Sequence, residues 1–525
     1  MPKFVLCLLS AVLLTIGWPP LPTAFLLFVG FVPLLLIHSK LKTAKYRHLK
    51  FFLWTYLALF IFNTGTTWWV WNASASGCII MLFANSLIMS LPFLAFSYTE
   101  SKWKKGGYTS LILYYLTFEF IHFNWSASWP WLTLGKGLAT MPEYIQWYEY
   151  TGELGGSLLI LLLNVMVFKR IHQKQYIRLW QPAVVIVGMW AISLIVSFNY
   201  RLFEKTMYAK VTNKYTCVIS QPNIDPYQEK FSDGNNYLTP DVQLKLGIDV
   251  ARPYLTKETD LLLFPETAIT GWNDEARINE MYIMQPIKEL TDSTGLTIIA
   301  GAETFGIYNN KERPTITARF DESSQTWWDS YNTSLLIANG HVDSFYHKSK
   351  LVPGVEKMPF AFLEKLSINL GGASGSLASS DRPINFIVNK DLKIAPLVCY
   401  ESVFGDYVAD FVRDGATALA VITNDGWWGE TPGYQQHLLF GAIRCIETRK
   451  EMLRSANTGV SAKINVLGDI THQTKYKERV AFECEVLPNT IQTFYVRYGN
   501  IIGYAACILA GLFLLATFTK VILKK

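Results

Sequence analysis

The sequence predicts a multi-pass α-helical membrane domain joined to an α/β domain, with one more membrane helix closing the chain. Three observations carry this reading: a succession of long apolar segments across residues 1–200, a central block where short β-rich runs alternate with helical stretches, and a last apolar segment before Lys524-Lys525. Composition agrees. Half of the 525 residues are hydrophobic and only 17% are charged, against roughly 25% in an average soluble protein. A chain of this length also exceeds one ordinary domain.

The apolar segments are, in order, residues 4–18, 22–37, 51–71, 78–97, 108–124, 156–170, 179–198 and 499–521, which predicts eight transmembrane helices, seven before the central block and one after it. The first two are short and meet at Trp18-Pro19-Pro20, the pattern of a helical hairpin. The first lacks a small-x-small cleavage site and is followed by further spans, so it reads as a retained helix and not a signal peptide. Orientation comes from the loops. His38–Lys50, Lys102–Lys105, Lys169–Arg178 and the terminal Lys524-Lys525 are basic and follow spans two, four, six and eight, whereas the alternate loops carry almost no Lys or Arg. Cytoplasmic loops concentrate those residues, so both termini are expected in the cytoplasm and the central block outside it. The expected domains are 1–200 (seven helices), 210–490 (catalytic) and 499–525 (closing helix and tail). Trp68-Trp69-Val70-Trp71 ends a span and reads as an interfacial aromatic belt, with a lipid-binding wall as the alternative.

Within the central block, strands are expected at Tyr215–Ser220, Asp260–Phe264, Leu296–Gly301, Thr333–Ala338, Lys393–Val398, Ala418–Thr423, Met452–Ala456 and Ser461–Val466, with helices at Pro240–Tyr254 and His437–Arg449. That alternation predicts a sheet covered by helices. Gly371–Asp381 (GGASGSLASSD) reads as a mobile loop, either a lid or an ordinary surface loop. The block has mixed charge, which argues against nucleic-acid binding. Seven cysteines without a CxxC pair argue against a disulfide framework or a zinc site. With no metal-ligand spacing or phosphate-binding glycine loop, no cofactor is expected.

Three segments place a reactive side chain at or just after a hydrophobic strand, where a rigid sheet can position it. Glu266 lies in LLLFPET, Lys348 in SFYHKSKLVP, and Cys399 in KIAPLVCYES with Glu401 two residues on. A thiol needs a base to become a nucleophile, and a carboxylate can supply it. An ammonium can stabilise both the thiolate and the oxyanion of a tetrahedral intermediate. Glu, Lys and Cys together therefore suit acyl transfer. His437, expected at the opening of a helix, reads as a cap or structural partner, with assistance to proton transfer as the alternative.

These contexts resemble the nitrilase superfamily across residues 216–470: Pro265-Glu266-Thr267, Tyr346–Lys348, Cys399-Tyr400-Glu401, Asn424–Gly429 (NDGWWG), His437, Arg444–Arg449 and Arg454–Gly459, in that order. The resemblance implies a four-layered α-β-β-α sandwich with a Glu-Lys-Cys triad. The division of spans, Leu351-Val352-Pro353 followed by Glu356, and Trp129-Pro130-Trp131-Leu132 further resemble the apolipoprotein N-acyltransferase family. That narrower resemblance implies Glu266 as general base, Lys348 as transition-state stabiliser and Cys399 as the acylated nucleophile. It implies Glu356 and Glu401 as supporting carboxylates, and Tyr400, Trp427 and Phe231 as lining of the substrate pocket. The implied donor is a phospholipid, phosphatidylethanolamine with its sn-1 chain. The implied acceptor is the diacylglyceryl-cysteine of an apolipoprotein, and the implied setting is a monomer in the bacterial inner membrane. One departure stands out: Gly354-Val355 occupies the place of the family's phenylalanine–glycine pair, which puts the shape of that loop in question. A membrane-tethered amidase acting on a small amide is the alternative.

Overall fold

The computed structural model describes residues 1–103, 106–210, 214–231, 233–310, 312–358 and 376–523. The chain divides into two compact units, Met1–Glu204 with Thr493–Lys525, and Lys205–Gln492.

The first unit is built from apolar helices. Ala75–Glu100, Glu153–His172, Tyr176–Leu202 and Ile501–Ile522 are long and apolar enough to cross a membrane by length and composition. Lys3–Ile16 and Thr109–His122 are shorter, and Arg47–Thr67 begins with Arg47, His48 and Lys50. The predicted second span is broken: a 3-10 turn at Ala24–Phe28 precedes the helix Val32–Lys40, which has Pro33 in its first turn. Close packing accounts for the break, because a Cβ on Gly30 would lie 2.6 Å from the Leu14 side chain. Asn164 repairs it. Its Nδ2 donates to the Leu27 carbonyl at 2.7 Å and its Oδ1 accepts the Phe31 N–H at 2.7 Å. Backbone groups left unpaired in an apolar setting would otherwise be costly. The expected aromatic belt also needs correction: Trp68 and Trp71 are exposed, but Trp69 is buried against Trp131 with ring centroids 4.9 Å apart. Trp69 sits on a short turn between helices, which directs it inward.

The second unit contains two sheets formed by β1 (Tyr215–Gln221), β2 (Thr259–Leu263), β3 (Ile269–Asp274), β4 (Thr297–Tyr308), β5 (Arg319–Asp321), β6 (Thr326–Ala338), β7 (His341–His347), β8 (Phe386–Ile387), β9 (Lys393–Val398), β10 (Ala418–Thr423), β11 (Met452–Ala456), β12 (Ala462–Ile464), β13 (Ile470–Gln473) and β14 (Val480–Val486). One sheet runs β14-β1-β2-β4-β6-β5, with β3 on β4 and β7 on β6; the other runs β13-β12-β11-β10-β9-β8. The centre of each is parallel, β1-β2-β4 in the first and β9-β10-β11 in the second. Their buried runs of Val, Ile, Leu and Ala explain this, since a strand covered on both faces needs no polar alternation. Ser455 Oγ of β11 donates to the Ser220 carbonyl of β1 at 2.7 Å, joining the sheets.

Helices Pro240–Ala251 and Gln285–Thr294 cover the first sheet, burying Leu244, Ile248, Ile287 and Leu290 with Val218, Leu262 and Ile298. Helices Gly405–Arg413 and Pro432–Thr448 cover the second. The latter starts five residues before the predicted His437, because Thr431 caps it by accepting the Gly433 N–H and Pro432 suits a first turn. The predicted Gly371–Asp381 loop lies outside the described residues as far as Gly375.

Candidate active site

The site gathers where parallel strands end. Glu266 follows β2, Cys399 follows β9 directly, and Asn424 follows β10; Lys348 extends the antiparallel β7. Ligand and catalytic groups in open α/β sheets collect at such carboxyl ends.

Two tight backbone turns aim the key side chains. Thr267 has φ 51° and Cys399 has φ 50°, both in the left-handed region that non-glycine residues seldom occupy. The first turn is seated on Gly301 of β4: an added Cβ there would lie 2.5 Å from the Thr267 nitrogen, and the Gly301 N–H donates to the Pro265 carbonyl at 3.1 Å. A glycine inside a strand often marks such a close approach. The second turn opens a 3-10 helix, Cys399–Val403, whose geometry is set by Glu401. Glu401 Oε1 accepts from the Tyr346 hydroxyl at 2.6 Å, from the Ser349 N–H at 2.7 Å and from the Lys350 N–H at 3.2 Å, while Oε2 accepts the Val398 N–H at 2.8 Å. This carboxylate ties the residue before Cys399 to the residues after Lys348. Burial pushes the Glu401 carboxyl above its ordinary range, against the pull of those donors.

Lys348 is buried, and its Nζ lies 2.7 Å from Glu356 Oε1 and 3.4 Å from Glu266 Oε1. Burial opposes its charge, but Glu356, Glu266 and Cys399 more than offset this and hold the ammonium above its ordinary range. Glu356 Oε2 accepts the Val352 N–H at 2.7 Å. The altered Gly354-Val355 pair therefore does not displace Glu356; Gly354 adopts φ 85°, open to glycine. Glu266 Oε2 accepts the Asn424 N–H at 3.0 Å. The Cys399 thiol is pushed well above its ordinary value, first by burial and then by Glu266, with Lys348 acting in the opposite sense. At rest it is protonated, so any nucleophilic role needs a base.

Asn332 of β6 was not singled out by its sequence context. Its Nδ2 donates to Glu266 Oε1 at 2.8 Å and to Glu356 Oε1 at 3.1 Å, so one amide spaces the two carboxylates that share Lys348. His437 lies within its helix and not at the opening. Its Nε2 is 3.1 Å from the Cys399 carbonyl and 2.9 Å from Ser402 Oγ, and its Nδ1 is 2.9 Å from Asp425 Oδ1. Burial and then Arg454 push the imidazole down. It thus holds the backbone of Cys399 through the carbonyl. Phe231 and Trp427 stack with centroids 5.8 Å apart and planes 15° from parallel, and Tyr227 donates its hydroxyl to the Trp427 carbonyl at 2.8 Å. Tyr400 is buried and meets Phe404 edge-on at 5.1 Å, inside the fold beside Cys399. Among the described residues no group of three or more His, Cys, Asp or Glu side chains is placed to hold a metal ion.

Comparison with known proteins matches residues 10–166 to the apolipoprotein N-acyltransferase N-terminal domain and residues 232–490 to the carbon-nitrogen hydrolase family. An apolipoprotein N-acyltransferase of Chlorobaculum tepidum is 28% identical over 98% of this chain and 97% of its own length. One from Geobacter metallireducens is 25% identical over 96% of this chain and 92% of its own, and one from Thermotoga maritima is 24% identical over 82% and 76%. The two family models in this order, together with relatives of matching length, show that the chain belongs to the apolipoprotein N-acyltransferase family.

Proposed function

We propose that this chain is an apolipoprotein N-acyltransferase that moves an acyl chain from a phospholipid, through a thioester on Cys399, to the N-terminal amine of a diacylglyceryl-cysteine. The observation that carries the reading is electrostatic. Cys399 stands on a left-handed turn with the charges of Glu266 and Lys348 both acting on its thiol.

In the first step Glu266 takes the Sγ proton as sulfur attacks the ester carbonyl carbon. The Lys348 ammonium, with a backbone N–H, stabilises the oxyanion. The C–O bond breaks, Glu266 returns the proton to the leaving glycerol oxygen, and a lysophospholipid departs. In the second step the α-amine of the acceptor attacks the thioester carbonyl and gives up a proton to Glu266. The C–S bond breaks, an amide remains, and the proton returns to sulfur. Glu356 and Asn332 hold Lys348 and Glu266 in place, Glu401 holds the turn at Cys399, and Tyr400, Trp427 and Phe231 line the pocket. The donor is phosphatidylethanolamine, and the protein acts as a monomer.

The membrane part fits this chemistry. Drawing each acyl CH₂ into water costs about 0.8 kcal/mol, which a membrane-resident enzyme avoids. Eight spans, with domains at 1–200, 210–490 and 499–525, would put both termini in the cytoplasm and the catalytic part on the outer side of a bacterial inner membrane. The test offers purified protein two substrate pairs: phosphatidylethanolamine with a diacylated lipopeptide, or a small aliphatic amide in water. Acylation of the lipopeptide is expected. Amide hydrolysis without lipopeptide acylation would favour the membrane-tethered amidase.

A further inference from the structure

A second buried lysine lies against the turn that presents Glu266, and the mechanism above does not use it. Lys230 is 1% exposed, and its Nζ donates to the Thr267 carbonyl at 2.7 Å. Thr267 is the left-handed residue directly after Glu266. The carboxylates acting on this ammonium are Glu303 and Glu266. Glu303 belongs to β4, where it stands opposite Asn332 in the register, and its Oε2 accepts the Gly271 N–H at 3.0 Å. Its other oxygen, Oε1, is buried with no hydrogen-bond partner among the described residues. The Lys230 carbonyl accepts from Gln243 Nε2 at 2.7 Å, which fixes the backbone beside the Phe231–Trp427 stack.

We propose that Lys230 is a positioning residue for the acylation step, pinning the Glu266–Thr267 turn through the Thr267 carbonyl and supplying a second positive charge beside Glu266. This rests on the reading of Glu266 as the base. A buried ammonium is costly to keep, and a purely structural clamp on one carbonyl could be made by a neutral donor. Among the described residues, the groups facing Glu266 are Lys348 after β7, Asn332 from β6, the Asn424 N–H after β10, the Cys399 thiol after β9, and Lys230. Lys348 is shared with Glu356 at the shorter distance, so Lys230 is the cation whose contact lies on the base's own turn. Burial pulls the Lys230 ammonium down to about 8, with Glu303 and Glu266 opposing. Its charge is therefore held at neutral pH and lost as pH rises through that value.

The experiment follows acyl adduct formation on Cys399 against pH, using the full chain in detergent with phosphatidylethanolamine, for wild type, Lys230→Met, Lys230→Arg and Glu303→Gln. Lys230→Met is expected to slow acylation about tenfold or more and to remove the high-pH loss of rate that deprotonation of the lysine causes in wild type. Lys230→Arg is expected to recover part of the rate. Glu303→Gln, which keeps the lysine, is expected to bring the high-pH loss of rate to lower pH. A Lys230→Met profile that keeps the wild-type high-pH loss of rate, with an overall rate loss that merely follows thermal stability, overturns the proposal. If that variant does not fold, an unmoved high-pH limb in Glu303→Gln overturns it. A wild type that forms no adduct overturns the functional reading instead.

Discussion

Replacing Asn332 with leucine tests how the charged groups of the site are held apart. Leucine keeps nearly the same shape, so the change removes the amide and leaves little cavity. Two hydrogen bonds disappear, at 2.8 Å to Glu266 and 3.1 Å to Glu356. Bonds to charged groups contribute about 1.5–3 kcal/mol each. The two share one nitrogen and are not additive, so the combined loss is about 2–4 kcal/mol. If that loss falls on the acylation step, the rate drops about 30- to 1000-fold. Glu266 Oε1 is then left with Lys348, now 3.4 Å away, and only the Asn424 N–H on Oε2 still fixes the carboxylate. The assay is the time course of the acyl adduct on Cys399 with phosphatidylethanolamine, read by intact mass, beside a melting curve. A rate within about threefold of wild type at an unchanged melting temperature would refute the reasoning.

Two further outcomes follow from the same geometry. Glu401→Gln replaces an acceptor-only group, filled by four donors, with one that has a single accepting oxygen, so a donor on one side loses its partner. At about 1–3 kcal/mol for an orphaned buried donor, the melting temperature of the purified protein should fall by several degrees; no change would show that the carboxylate does not brace the Cys399 turn. The raised Cys399 thiol carries its own pH signature. Because it is protonated through neutral pH, alkylation of Cys399 by iodoacetamide should keep rising with pH beyond the range of an ordinary thiol, and a plateau below pH 7 would contradict the burial argument.

The parts of the site that were legible in the sequence share one property: each candidate residue stands just beyond the end of a strand, apolar before Glu266 and Cys399 and mixed in character before Lys348. Glu266 after LLLF, Lys348 after β7 and Cys399 after IAPLV carry that signal, and the structure brings the three together. Asn332 carried none. It lies inside β6 in a stretch of polar and aromatic residues, and only the pairing with β4 and the return of β7 reveal what it faces. Lys230 looked like any surface lysine in a polar segment. Gly301 did offer a local clue, as a glycine interrupting a buried strand, but not what approached it. The break inside the second apolar segment left no mark in the sequence, because hydropathy does not register a break whose backbone groups are satisfied from far away, here by Asn164. His437 misled: the histidine is conspicuous, whereas the cap that starts its helix is the quieter Thr431-Pro432.

The central claim is that Cys399 becomes covalently acylated by a phospholipid. The most direct measurement is the intact mass of the purified full-length chain after incubation with phosphatidylethanolamine alone, followed by peptide mapping. The account predicts a gain of one acyl chain on Cys399, removed by hydroxylamine and absent in Cys399→Ser. An unmodified chain, or an adduct that persists in Cys399→Ser, would contradict it.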